Sequence, residues 1–318
     1  MFLQGRFLPV AVQKKSEVRS SDLAFLMALR GLALILILGF TSIVFFLYFQ
    51  SRPLIAQEGL SFFWGREWSP ADNRFGALPF IYGTLVTSAL ALLLASPVAV
   101  GSALFLTVLA PHWLRRPTAF LIEMLAAIPS VVYGLWGIFM IVPLVRTFQV
   151  DLQNVVGDVP LFSGPPLGVG FLAAGLILAI MILPTIASVC REVFGAVPTV
   201  NFEAALTLGA TRWEALRMAV LRASVPGILT AVTLGLGRAL GETMAVTMLV
   251  GNRAVISPSL NSVGATMASI IANEYPEAAS DLHLSALTAV GLALFVISLL
   301  VNLGARWIGT FYRRKMGF

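Results

Sequence analysis

The sequence predicts an all-α polytopic membrane protein with six transmembrane helices and both termini in the cytoplasm. Three observations carry that fold class. Of 318 residues, 58% are hydrophobic and 11% charged, with a mean hydropathy of +0.91, far too apolar for a water-soluble domain. Six apolar runs reach spanning length, at roughly 31–49, 79–109, 119–145, 167–189, 227–251 and 284–305. Lys and Arg divide unevenly between the two sides these runs define. One side holds Arg52, Arg66, Arg74, Arg146 and Arg253, Arg238 lies within a run, and the remaining 15 of the 21 basic residues fall on the other side. The basic side is the cytoplasm by the positive-inside rule.

Residues 1–30 read as a short basic cytoplasmic arm and the entry to the first span, and 31–318 as a single transmembrane domain. The first run is too long for a signal-peptide core, and Leu47-Tyr-Phe-Gln50 after it lacks a small-residue cleavage pattern, so it is read as a retained span. The outer loop Gln50 to Leu78 carries Phe62, Phe63, Trp64, Trp68 and Phe75. These fit an aromatic belt at the lipid interface or a docking surface for an extracytoplasmic partner. The second run exceeds one bilayer crossing and contains Pro97, which points to a kink or an extension beyond the membrane. Glu123 sits near the cytoplasmic end of the third run, as an interface-anchored carboxylate or a proton carrier, and Pro143 lies farther along. The loop from Gln149 to Pro166 carries Asp151 and Asp158 and no basic residue, consistent with the outer side. The fourth run holds Pro184 and returns the chain to the cytoplasm at Ser188-Val-Cys-Arg-Glu192.

The inner loop 196–226 is patterned for helix. Asn201 is placed to cap a first helix whose opening turn contains Glu203, a favourable charge at a positive helix end. Gly209 supplies a left-handed turn before a second helix, where Trp213, Leu216 and Val220 recur at helical spacing between Arg212, Arg217 and Arg222.

The fifth run carries Arg238 and Glu242, four residues apart and so on one face of a continuous helix, beside Ala231, Gly235, Gly241, Ala245 and Asn252. Gly237 and Gly241 add a G-x-x-x-G spacing suited to close helix approach. Two readings stand side by side. The charges form an intrahelical ion pair that helps helices pack, or Arg238 meets an anion in a water-accessible path and Glu242 positions it.

Other functions are excluded by what the chain lacks. The net charge of +6 comes from small clusters beside apolar runs rather than a basic stripe, so no nucleic-acid partner is expected; membrane lipid is. Cys190 is the sole cysteine, and His112 and His283 are far apart in sequence, which argues against a disulfide or a metal site. Lys14, Lys15 and Lys315 are the only lysines and none follows the glycines of a P-loop, so ATP hydrolysis is not expected of this chain.

Glu203, Ala204, Ala205 and Gly209, with Leu221 twelve residues on, resemble the EAA loop of ABC importer permeases. Ala219 and Arg222 stand where that pattern has Ile and Pro, and a proline follows at Pro226. Leu78-Pro-Phe-Ile-Tyr-Gly-Thr84, Ile128-Pro-Ser-Val-Val-Tyr-Gly134, Ile182-Leu-Pro-Thr-Ile186 and Gly235 to Asn252 are similar to the PstC-type permeases of phosphate-specific ABC importers. That resemblance implies a type I importer permease architecture, phosphate as cargo and no cofactor. It also implies a second permease of the PstA type, two cytoplasmic ATPase subunits and an extracytoplasmic phosphate-binding protein. The EAA loop, with Glu203, Ala204, Ala205 and Gly209, would be the coupling helix that seats in the ATPase, and Arg238 and Glu242 would lie on the substrate path. Two other functions remain: a permease for another oxyanion such as molybdate or sulfate, and a passive anion channel or proton-coupled carrier that the intramembrane charges alone would allow.

Overall fold

The computed structural model describes residues 20–157 and 159–316, so most of the basic arm, and Asp158, lie outside the described residues. Two compact units are present, one ending at Phe46 and the other running Leu47–Phe318. In chain order the helices and strands are α1 (Ser20–Glu58), α2 (Ser61–Trp64), the antiparallel pair β1 (Trp68–Ser69) and β2 (Arg74–Phe75), α3 (Leu78–Leu104), α4 (His112–Ala127), α5 (Ser130–Trp136) and α6 (Val142–Val156). There follow α7 (Phe171–Gly195), α8 (Thr199–Thr207), α9 (Arg212–Ala215), α10 (Arg222–Leu240), α11 (Met244–Val250), α12 (Met267–Glu274) and α13 (Asp281–Met316). π-helical turns extend α3 to Leu109, join α5 to α6 and join α9 to α10.

Six helical stretches among the described residues are long and apolar enough to cross a membrane: Leu23–Glu58, Leu78–Leu109, Ser130–Val155, Phe171–Gly195, Arg212–Leu240 and Asp281–Phe311. Their number matches the sequence reading, but the third and fifth spans are bounded differently, for a physical reason. The expected third span, 119–145, is broken at Ile128 and Pro129, both extended, because proline excludes helical backbone from the residue before it. Glu123 therefore belongs to a separate helix, α4, where it is largely exposed and pairs with Arg191 of α7 at 3.6 Å. The loop after the third span is also shorter than expected, since α6 runs on through Gln149 and Asp151 to Val156.

The fifth span begins earlier and ends earlier than 227–251. Its helix starts at Arg212, passes through Pro226 without interruption and stops at Leu240. Gly241 to Thr243 are non-helical, and a separate short helix, α11, resumes at Met244.

The main core forms where α7 packs against α3, α10 and α11. α7 supplies Ile177, Leu178, Met181, Ile182 and Ile186, all essentially inaccessible, while α3 answers with Ala91, Ala95 and Ala99 at four-residue spacing. That small-residue ridge lets two helices approach closely, and in a bilayer close packing rather than expulsion of water holds helices together. Gly175 of α7 is covered by Leu90 of α3, and Gly235 of α10 by Ile186, so a Cβ at either position would collide.

A second cluster lies toward the start of α3. Phe62, Phe75 and Phe80 are buried with Leu54, Met267, Leu287 and Val290. Trp68 stands edge-on to Phe75 and Phe80, and its Nε1 donates to Glu274 Oε2 at 2.8 Å, where His283 Nε2 also lies at 2.8 Å. Most of the aromatics of the loop after the first span are thus core residues of this cluster; Trp64 alone of the five is strongly exposed, at 75%.

Candidate functional site

Arg238 occupies the last turn of α10, about 24 Å along the axis from Arg222. Its positive charge there faces the negative end of the α10 dipole. The side chain is half-buried, and its Nη1 donates to Thr185 Oγ1 of α7 at 3.1 Å. Glu242 does not share a helix with it. The backbone leaves the helical path at Gly241, and Glu242 Oε1 accepts instead from the N–H of Ala245, in the first turn of α11, at 3.3 Å. Among the described residues the ion pairs are Arg74–Glu67, Arg191–Glu123 and His283–Glu274, so the expected intrahelical pair of Arg238 and Glu242 is not formed.

The break explains why. A chain interrupted inside a membrane leaves amide and carbonyl groups that lipid cannot satisfy. Glu242 covers one of the orphan amides of α11, and its negative charge suits that positive helix end. Freed of a carboxylate partner, Arg238 retains most of its five N–H donors, since Thr185 takes one.

The small face read from the sequence is a packing surface. Ala231, Gly235 and Ala245 are buried, Gly235 beneath Ile186, and Gly134 of α5 lies against Ala245 and Met248 of α11. Gly237 lies toward Asn302 of α13, about as close as a helix with a side chain there would allow, while Gly241 forms the break itself.

The segment after α11 is pinned by hydrogen bonds from several directions. Gly251 and Asn252 both turn with positive φ, and Asn252 Nδ2 donates back to the Thr247 carbonyl at 2.8 Å. Tyr82 of α3 donates to Ser257 O at 2.6 Å, and Asn261 Nδ2 donates to Phe162 O at 2.6 Å. α11 is therefore held at its far end while its near end abuts the break.

The second group of sequence candidates lies on α8 and the turn after it. Helix α8 starts at Thr199 after Pro198, so Asn201 lies inside the helix rather than capping it. Phe202 packs on the main core, Ala205 is half-buried, and Glu203 and Ala204 face outward. Gly209 ends the element with φ +88°, a left-handed conformation that an L side chain resists, and no atom crowds it. Thr211 and Glu214 then form a capping box: Glu214 N–H donates to Thr211 Oγ1 at 3.3 Å, and Thr211 N–H donates to Glu214 Oε2 at 2.8 Å. Leu216 and Val220 are buried as their spacing suggested, but Trp213 is 62% exposed. From Arg212 helical backbone runs on to Leu240, so α8 is one turn away from the helical stretch that carries Arg238 in its last turn.

Thr185 was not legible as the partner of Arg238. It lies within Ile182-Leu-Pro-Thr-Ile186, but no charge or spacing links it to Arg238, 53 positions away.

Six apolar helices, a broken helix with an arginine beside the break and a loop helix feeding that same element are the build of a multi-pass membrane transport protein. The chain belongs to the family described as binding-protein-dependent transport system inner membrane component, whose model matches residues 95–316. It is 43% identical to a phosphate transport system permease protein PstC of Xylella fastidiosa (strain 9a5c), over 93% of each chain. A protein of the same name from Pasteurella multocida (strain Pm70) is 47% identical over 88% of this chain and 89% of its own, and a probable one from Methanocaldococcus jannaschii is 34% identical over 95% and 96%. Among solved structures, a chain of a bacterial alginate ABC transporter bound to its alginate-carrying periplasmic protein aligns with a TM-score of 0.59 at 16% identity, covering 91% of this chain and 96% of that one. A chain of the MetNI methionine ABC transporter, in inward facing conformations, aligns with a TM-score of 0.55 at 18% identity, covering 73% and 94%. These two likenesses concern the fold alone.

Proposed function

We propose that this chain is the transmembrane permease subunit of an ATP-driven importer of inorganic phosphate. The observation that carries the reading is agreement among relatives from distant organisms: proteins 34% to 47% identical over most of the chain are all phosphate transport permeases by name. Arg238 suits that cargo. A guanidinium gives a tetrahedral oxyanion two parallel hydrogen bonds, and it stays charged at any physiological pH.

In this reading both termini are cytoplasmic, the chain lines one half of the path, and a second permease of the PstA type lines the other. An extracytoplasmic phosphate-binding protein delivers the anion, and two cytoplasmic ATPase subunits supply the energy. Helix α8, with Glu203, Ala204 and Ala205 and the Gly209 turn behind it, seats in an ATPase subunit. When the ATPases close, the displacement of α8 is passed through the capping box into the helix that carries Arg238. Alternating access needs an element with two discrete arrangements, and a helix interrupted at Gly241 supplies a place for the change to be absorbed. Glu242, committed to α11, leaves Arg238 free to bind the anion.

The test is uptake of labelled phosphate by vesicles containing the full complex. Arg238→Gln is expected to reduce ATP-dependent uptake to background while the complex still assembles. Undiminished uptake by that variant would remove Arg238 from the path.

A further inference from the structure

Threonines inside helices of this chain follow one habit. Thr84, Thr147, Thr233, Thr247 and Thr288, on five different helices, each donate the hydroxyl hydrogen to a carbonyl four residues back, at 2.7 to 3.0 Å. Within an apolar helix this is the nearest acceptor, and the bond is the usual fate of a threonine hydroxyl. Thr185, in the middle of α7, departs from it. Its Oγ1 accepts from Arg238 Nη1 at 3.1 Å, and among the described residues its hydroxyl hydrogen has no acceptor. Both side chains are half-buried.

An unspent O–H beside an arginine that has no carboxylate partner is an arrangement of donors without an acceptor. Arg238 Nη1 and Thr185 Oγ1 are 3.1 Å apart, so one anion beside the pair can accept both from a guanidinium N–H that Thr185 does not engage and from the Thr185 O–H. We propose that Thr185 is a second anion-contacting residue of the path: it fixes one arm of Arg238 and donates its own hydrogen to the tetrahedral oxyanion that Arg238 receives. This rests on the reading of Arg238 as a path residue. It adds that the contact is shared between α7 and α10, so relative movement of those helices changes the number of donors the anion sees.

The experiment uses the full complex in vesicles with labelled phosphate. Thr185→Val keeps the side-chain shape but removes the hydroxyl, and is expected to slow uptake about tenfold, the effect of losing one hydrogen bond to a charged group. The amount of assembled complex and its thermal stability should be unchanged, and Thr185→Ser should restore uptake to within about twofold. In an Arg238→Lys background, Thr185→Val should cost less than in the native chain, because the two residues act as a unit. Native uptake by Thr185→Val while Arg238→Gln is inactive overturns the inference and leaves Arg238 on the path. Native uptake by both variants removes the path reading itself. A loss in Thr185→Val that serine does not repair, or that tracks a loss of assembled complex, assigns Thr185 to packing and overturns the inference as well.

Discussion

At the scale of single residues, the decisive fact is that Arg238 and Glu242 spend their charges on different partners. Glu242 accepts an amide hydrogen of α11, and Arg238 donates to a neutral hydroxyl of α7. Removing Glu242 should therefore act first on α11. Glu242→Ala strips the acceptor from the Ala245 N–H and is expected to lower the stability of the extracted complex by about 1 kcal/mol, the usual cost of losing a helix cap. Glu242→Gln keeps an acceptor oxygen and should melt close to the native complex, so any change in its uptake rate reports on the charge alone. Thermal melting of both variants checks this. The ion-pair reading of the sequence would instead have both substitutions destabilise the helix equally.

At the scale of elements, Gly235 within the fifth span and Gly209 in the turn before it resist substitution for opposite reasons. Gly235 is helical and covered by Ile186, so Gly235→Leu overpacks the α7–α10 contact and should cost about 1–3 kcal/mol in the stability of the extracted complex. Gly304 of α13 has nothing within 4 Å of a built Cβ, and Gly304→Ala is the control expected to leave stability nearly unchanged. Gly209 is uncrowded but left-handed at φ +88°, so Gly209→Val is strained by its backbone alone, by about 1–2 kcal/mol. Because that strain falls on the turn between α8 and the Arg238 helix, Gly209→Val is expected to lower phosphate uptake and ATP hydrolysis together without loss of assembled complex. Uptake at the native rate would show that the turn transmits nothing. The Gly209 turn was legible because only a few residues tolerate that conformation. The break at Gly241 was not, since the run from Gly227 to Gly251 stays apolar on both sides of Arg238 and Glu242 and hydropathy does not register where helical hydrogen bonding stops.

At the scale of the whole molecule, the span count and the class of fold were readable from apolar run lengths alone, because a bilayer sets the length of its helices. Run lengths failed wherever backbone chemistry, rather than hydropathy, ends a helix, as at Ile128–Pro129 and Gly241–Thr243. Contacts between distant positions were equally hidden: Trp68 with Glu274, and Arg238 with Thr185, join residues 206 and 53 positions apart. The site was half legible, its charges evident and its partners not. What unites the molecule is a mechanical line from α8 through an unbroken helix to Arg238, with α7 alongside it. That line is what the proposed seating of α8 in an ATPase subunit would use, and a passive channel or a proton-coupled carrier would have no need of it. The most direct measurement is ATP-dependent uptake of labelled phosphate into vesicles containing the full complex, with arsenate, sulfate and molybdate as competitors. The expected result is uptake that requires ATP and the binding protein, is suppressed by arsenate and is indifferent to sulfate and molybdate; phosphate entry through this chain without ATPase subunits, or suppression by molybdate or sulfate in place of arsenate, would contradict it.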